Sequence, residues 1–515
     1  WTLENMIFYN KTFNKIHTVG LTLMQSAEYY RTEGLDARAY ESKFPTALWY
    51  SIGDSNKAKL GAGSSFNEQQ RASYMARLNY NLMDRYLLTV TGRWDGASML
   101  AAGNKWDFFP SAALAWKMNE ENFMKKFSWL SNAKIRASWG KLGNQEIGLY
   151  PYQAMISKVS SYPFDKNEIS SAYIQTAYVN RNIEWETTSI ADVGLDLLLW
   201  NKLNVTFDWY KKKTDGILRS AQVSALLGMD APTINNGTMQ DKGIELAFAW
   251  NDHIGNETNR LDYNIGFYID RTRNTLVNFG STEKDGKIIR EEGLPYNSYY
   301  MLDCIGIFAT QEEIDNAPKQ YNDDTQPGDL RFRDANNDGV INDDDRVLIS
   351  GRYPNFEYGF NAGLTWKGFD VSILTQGVAG TKSFIDYRWG LAPFFQGSAP
   401  TKDYVEGMWT EENPYNAKYP KIYFGTLGGT KNTRTNSYFL QNTSYFRLKN
   451  LTIGYTLPKG LVDKIRLQKV RVYFSGDNLL TFTNYEGLDP ERSGDGTLTQ
   501  YPQNRICSFG VDVEF

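Results

Sequence analysis

The chain has 515 residues, a formal net charge of -4, 41% hydrophobic residues and 15% aromatics, among them 33 Tyr and 14 Trp. No stretch approaches the ~18 continuous apolar residues of a membrane helix, which excludes a helical membrane protein. A net charge of -4 without a Lys/Arg-rich run argues against a nucleic-acid partner. Two cysteines, Cys304 and Cys507, are too few for a disulfide framework and too far apart for a metal knuckle. Beginning at Trp1 in strand-like sequence without a leader, the chain reads as a piece of a longer precursor.

In chain order the dominant signal is period two, which places every second side chain on one face of a strand. Ala72, Tyr74, Ala76, Leu78 and Tyr80 alternate with Arg71, Ser73, Arg77 and Asn79. Tyr86, Leu88, Val90, Gly92 and Trp94 alternate with Thr89, Thr91, Arg93 and Asp95. The pattern returns at Leu203, Val205, Phe207 and Trp209, again at Phe356, Tyr358, Phe360, Ala362 and Leu364, and finally from Cys507 to Phe515. About fifteen such segments are expected, each near the nine to eleven residues that carry a tilted strand across a bilayer.

The links between segments alternate in length. Short ones fall at Asn14-Lys15, Met83-Asp84, Trp200-Asn201-Lys202 and Lys367-Gly368, and Gly/Asn/Asp/Pro-rich ones at Gly143–Thr187, Thr214–Lys242, Thr272–Pro354 and Gly377–Ser444. Tight turns on one side and long loops on the other are the mark of a transmembrane antiparallel β-barrel. Two presumed periplasmic links, Asn119–Ser131 and Pro458–Gln468, are longer. With a periplasmic C-terminus, about fifteen strands make the first one run inward. A complete barrel starts outward, so an odd number of strands is expected to precede Trp1. An open edge in lipid leaves unpaired backbone groups at several kcal/mol each, so this piece is not expected to span a membrane alone.

Several stretches, in order, resemble one family. They are Arg77–Tyr86 continuing through Thr91-Gly-Arg-Trp-Asp-Gly-Ala-Ser98, then Phe109–Trp116, Lys134–Asn144 and Asn182–Thr188, and near the end Asn478-Leu-Leu-Thr-Phe-Thr-Asn-Tyr-Glu-Gly-Leu-Asp-Pro-Glu491. Together they resemble the SusC/RagA-type TonB-dependent transporters of the Gram-negative outer membrane, which import glycans or peptides, and the terminal strand resembles that by which such barrels are recognised for insertion. The resemblance implies a barrel of about 22 strands, of which this chain supplies roughly the eighth onward, around an N-terminal plug. It also implies opening by TonB through the N-terminal region and capping by a SusD-like lipoprotein. The cargo expected is an oligosaccharide, with a peptide as the alternative.

The sharpest local motif lies in the long loop region 272–354. Asp334, Asn336, Asp338, Gly339, Val340, Asn342 and Asp345 match the spacing of a calcium loop, in which alternate residues point oxygens at a hard cation and a glycine permits the turn. Asp345 stands where such loops carry Glu, and no flanking helices are evident; an Asx-rich surface turn is the alternative. Calcium here would stiffen a loop. Tyr387, Trp389, Phe394, Phe395, Tyr404 and Trp409 are candidate substrate contacts, since flat rings stack on sugars; interface girdles and loop packing use the same residues. Arg77, Arg93, Asp95, Arg136 and Asp208 are expected on a polar, plug-facing wall.

No catalytic constellation emerges. His17 and His253 fall near short turns, no Gly-x-Ser-x-Gly elbow occurs, Thr381 separates Gly380 from Lys382 in the nearest phosphate-loop match, and Gly61-Ala-Gly63 lacks the third glycine of a dinucleotide site. An enzyme is therefore not expected. A passive porin would be told apart by independence of TonB, and a surface adhesin by solubility of the intact precursor without detergent.

Overall fold

The computed structural model describes every residue except 40–59, 166–167, 321–323, 386–399, 424–431, 493–500 and 502. Its main feature is one antiparallel sheet of fifteen strands whose hydrogen-bonded order is the chain order. The strands are β1 Thr2–Phe13, β2 His17–Ala39, β3 Leu60–Leu82, β4 Tyr86–Ala97, β5 Trp106–Lys117, β6 Leu130–Asn144, β7 Glu186–Leu199, β8 Leu203–Asp215, β9 Thr238–Ile254, β10 Leu261–Asn278, β11 Phe356–Trp366, β12 Phe369–Ala379, β13 Tyr445–Thr456, β14 Lys469–Thr483 and β15 Ile506–Glu514. Two compact units are distinguished: Trp1–Glu120 with Arg136–Asp192 and Lys212–Thr238, and Glu121–Ile135 with Val193–Lys211 and Met239–Phe515.

Alternation fixes which face is which. Leu82↔Tyr86, Leu78↔Val90 and Tyr74↔Trp94 are paired across β3 and β4, so their apolar side chains share one face, with Thr91, Arg93 and Asp95 on the other. The apolar face is open: Trp94, Leu114 and Phe509 are 56, 59 and 84% exposed. That much bare apolar surface in water would cost about 25 cal/mol per Å², a penalty that lipid contact removes.

The short links take the conformation their length demands. Asn14 and Lys15, Met83 and Asp84, Trp200 and Asn201, and Lys367 and Gly368 all have positive φ, between 47° and 86°. Two consecutive left-handed residues give a turn whose twist matches the strands it joins. Asn, Asp and Gly accept this cheaply, whereas Met83 and Trp200 do so at about 1–2 kcal/mol each, offset by the ladders on either side. The longer links expected at Asn119–Ser131 and Pro458–Gln468 contain short helical turns, at Met118–Glu120, Lys459–Val462 and Asp463–Ile465.

Strand length departs from expectation. β2 and β3 run for 23 residues each, β9 for 17 and β10 for 18, well beyond one bilayer crossing. At about 3.3 Å per residue a 23-residue strand is ~76 Å long. Polar sequence past the apolar band keeps pairing because nothing there interrupts the ladder; β2 and β3 stay in register from His17↔Leu82 to Ala39↔Leu60.

Candidate functional site

In the second unit the long links fold into a layer with cores of its own. Ser298–Leu302 pairs with Arg346–Ile349 and with Ile288–Arg290, and Cys304–Ile307 pairs with Leu330–Phe332. Tyr299, Met301, Phe384, Tyr404, Tyr419 and Phe439 form one buried cluster, and Leu302, Leu330, Phe332 and Ile341 another. Both cysteines are free thiols. The first unit has its own small core, in which Leu100, Ile183 and Trp185 pack on Phe109.

The calcium-loop motif joins the strands Leu330–Phe332 and Arg346–Ile349. Asn337 and Gly339 adopt φ of 61° and 82°, so the sharp turn expected at Gly339 is present. The side chains at the ligand positions turn onto the loop's own backbone. Asp334 Oδ1 accepts from the Asn337 N–H at 2.7 Å and Oδ2 from Gly339 at 2.9 Å. Asp338 accepts from Val340, Asn336 from Asp338 and Asn342 from Asp344. Asp345 is wholly buried and accepts from Ala335 at 2.9 Å and Asn342 at 2.7 Å. Among the described residues no three His, Cys, Asp or Glu side chains are gathered as a metal-binding group. The ligand-type residues keep their spacing in sequence, and in the structure their side-chain oxygens accept from the loop's own backbone.

Tyr387, Trp389, Phe394 and Phe395 lie outside the described residues. Tyr404 and Trp409 are buried. Tyr404 stacks on Tyr419 with ring centroids 4.6 Å apart and donates its hydroxyl to the Pro420 carbonyl; Trp409 Nε1 donates to the Ala309 carbonyl at 3.2 Å. Their rings are spent inside the loop layer, the packing role weighed against substrate contact. Replacing Trp409 with Ala is expected to destabilise this layer by about 3–5 kcal/mol, read as faster proteolysis of the loops in the folded full-length protein.

The residues expected on a polar wall lie on sheet strands. Arg93 pairs with Asp95 at 2.6 Å and donates to Ser73 Oγ, Arg77 donates to Thr91, and Arg136 lies 3.6 Å from Asp192. Asp208 is on β8. His17 and His253 sit at the turn ends of β2 and β9, and His17 Nδ1 meets the Tyr80 hydroxyl at 2.7 Å.

Sequence reasoning missed a buried charge cluster. Arg447 on β13 is 2% exposed and donates to Asp489 at 2.8 Å, Glu491 at 2.6 Å and Thr481 at 2.9 Å. Lys449 adds a second contact to Glu491 at 2.6 Å. Asp489 and Glu491 belong to the Asn478–Glu491 motif, so the motif pins the link after β14 to the neighbouring strand. The arginine lies 42 residues away from Asp489, with nothing in its local sequence to mark it.

Comparison with known proteins places this architecture. Residues 2–302 match the family model described as TonB dependent receptor-like, beta-barrel. The chain therefore belongs to that family and is an outer-membrane β-barrel of the SusC/RagA type. It is 30% identical to TonB-dependent receptor P3 of Formosa agariphila, over 99% of this chain and 52% of that one. To TonB-dependent receptor SusC of Bacteroides thetaiotaomicron it is 28% identical, over 86% of this chain and 43% of that one. The structure of the RagAB peptide transporter superposes with a TM-score of 0.82 at 22% identity, over all of this chain and 55% of that one. The chain thus spans about half the length of the curated relatives it matches. With the family known, the apolar face is the lipid face, the polar face is the lumen side, and the short turns are periplasmic.

Proposed function

We propose that the intact protein is a TonB-dependent importer of a large nutrient, working with a SusD-like lipoprotein and opened by TonB through the N-terminal region. The observation that carries this reading is a fifteen-strand sheet of TonB-receptor family, apolar outside and polar within, whose long external links fold into a packed layer. The family resemblance of the sequence supports an oligosaccharide as cargo; the likeness to the RagAB peptide transporter supports a peptide. No catalytic role is assigned, the relatives being described as receptors and transporters.

Uptake by cells carrying the full-length protein, with and without TonB, across matched panels of oligosaccharides and peptides, tests this. Accumulation of one class that stops without TonB is expected. Uptake indifferent to TonB indicates a passive pore, and surface binding without uptake an adhesin.

The loop at Asp334, Asn336, Asp338, Val340, Asn342 and Asp345 is proposed to take calcium as a structural ion, on its ligand spacing and the left-handed turn at Gly339. Titration calorimetry of the full-length protein is expected to show one site with Kd of about 0.1–1 mM, the range of extracellular calcium modules, lost in D334N. Absence of heat at several millimolar calcium leaves the self-satisfied Asx turn.

A further inference from the structure

Within the second unit a cavity of about 530 Å³ opens on the lumen side, where the outer ends of β11, β12 and β13 meet the folded links. That volume falls in the range of about 300–1,000 Å³ usual for small-ligand sites. Tyr445 forms part of its wall. This side chain is 6% exposed, yet its hydroxyl has no hydrogen-bond partner among the described residues. The hydroxyl itself still reaches solvent, so it can donate to or accept from a ligand in the cavity.

Two charged groups line the same cavity uncancelled. The Glu357 carboxylate on β11 and the Lys382 ammonium just beyond β12 have no ion-pair partner among the described residues, including each other. Gln376 adds an amide able both to donate and to accept. Tyr353 offers a ring face, its hydroxyl already donated to the Tyr296 carbonyl. Arg352 is a second cation on the wall, and its guanidinium donates to the Tyr299 hydroxyl at 3.2 Å.

A neutral saccharide filling this space would strip water from a carboxylate and an ammonium and return no charge to either. A short peptide with free ends returns both: its ammonium to Glu357 and its carboxylate to Lys382, with backbone amides left for Gln376 and Tyr445. We infer that this cavity is a subsite for a zwitterionic peptide segment, with Glu357 and Lys382 reading the two termini. The inference rests on the importer reading and, within it, selects peptide over oligosaccharide.

The test is calorimetric binding to the full-length protein in detergent, using tetra-alanine, its N-acetylated and C-amidated forms, and maltotetraose. Tetra-alanine is expected to bind about tenfold more tightly than either capped form, one charge-assisted hydrogen bond being lost in each. E357Q and K382M should each weaken tetra-alanine by a similar factor. E357Q should have no effect on the N-acetylated peptide and K382M none on the amidated one, which a merely structural role would not reproduce. Equal affinity for free and capped peptides, or tighter binding of maltotetraose, overturns the proposal using the unaltered protein alone. Uptake separates the two readings: TonB-dependent transport with the binding pattern absent removes the subsite only, whereas binding as described without TonB-dependent uptake removes the importer.

Discussion

Replacing Arg447 with Met in the full-length protein is expected to cost about 3–5 kcal/mol, because it strips the counter-charge from a carboxylate that stays buried. Arg447 and Asp489 side chains are 3 and 5% exposed, and Glu491 is drawn in by the same guanidinium. The cost should appear locally, as rapid Glu-C cleavage at Glu486 or Glu491 while the barrel keeps its folded mobility on gels. Lys at 447 should recover part of the protection, since a point charge replaces a fork that spans two carboxylates. Unchanged cleavage in the Met variant would show that the Asn478–Glu491 segment is held by something else.

The same cluster sets a pH dependence. Burial pushes the Asp489 carboxyl up, but the Arg447 guanidinium and the N–H groups of Gln503 and Glu491 outweigh it and hold the group below its ordinary value of 3.8. A depressed folded value means that the stabilisation is fully present above 3.8 and is lost as pH falls through the folded value. Protection of the segment is therefore expected to be flat from pH 7 to 5 and to decline below about 4. In R447M the acid step should vanish.

Arginine at Phe360 is the second large effect. Phe360 lies midway along β11, opposite Phe267 on β10, on the lipid face. A cation near the bilayer midplane of such a strand costs about 2–4 kcal/mol. The adjacent Asn361, paired with Gly266, points to the lumen, where Lys should cost no more than about 0.5 kcal/mol. Urea unfolding of the full-length protein in lipid vesicles measures both. Similar losses for the two variants would mean that the faces are assigned wrongly.

Much of this was legible in the residues because it depends on neighbours in sequence. A period of two along Tyr86–Trp94 or Phe356–Leu364 fixes two faces whatever the rest of the chain does, and Asn14-Lys15 or Lys367-Gly368 marks a turn through backbone preference alone. Strand lengths were less legible: apolar periodicity ends where the membrane ends, while the β2–β3 ladder continues on polar residues that carry no such signal. Tyr404 and Trp409 show the same limit in another form. An aromatic in a long loop reads alike whether it faces a ligand or a core, and only the placement of Tyr419 and of the Pro420 and Ala309 carbonyls makes these two core residues.

By itself the sequence determined the all-β class, the fifteen strands, their alternating short and long links and the family, since these follow from local periodicity, turn chemistry and motifs read in order. Tertiary structure alone decided that Arg447 neutralises Asp489 and Glu491, that the calcium-like loop satisfies its own carboxylates, and that Tyr445, Glu357 and Lys382 share one cavity. Each joins groups distant in the chain or fixes where a side chain points. Such distances depend on how strands and links pack, to which one-dimensional patterns are blind.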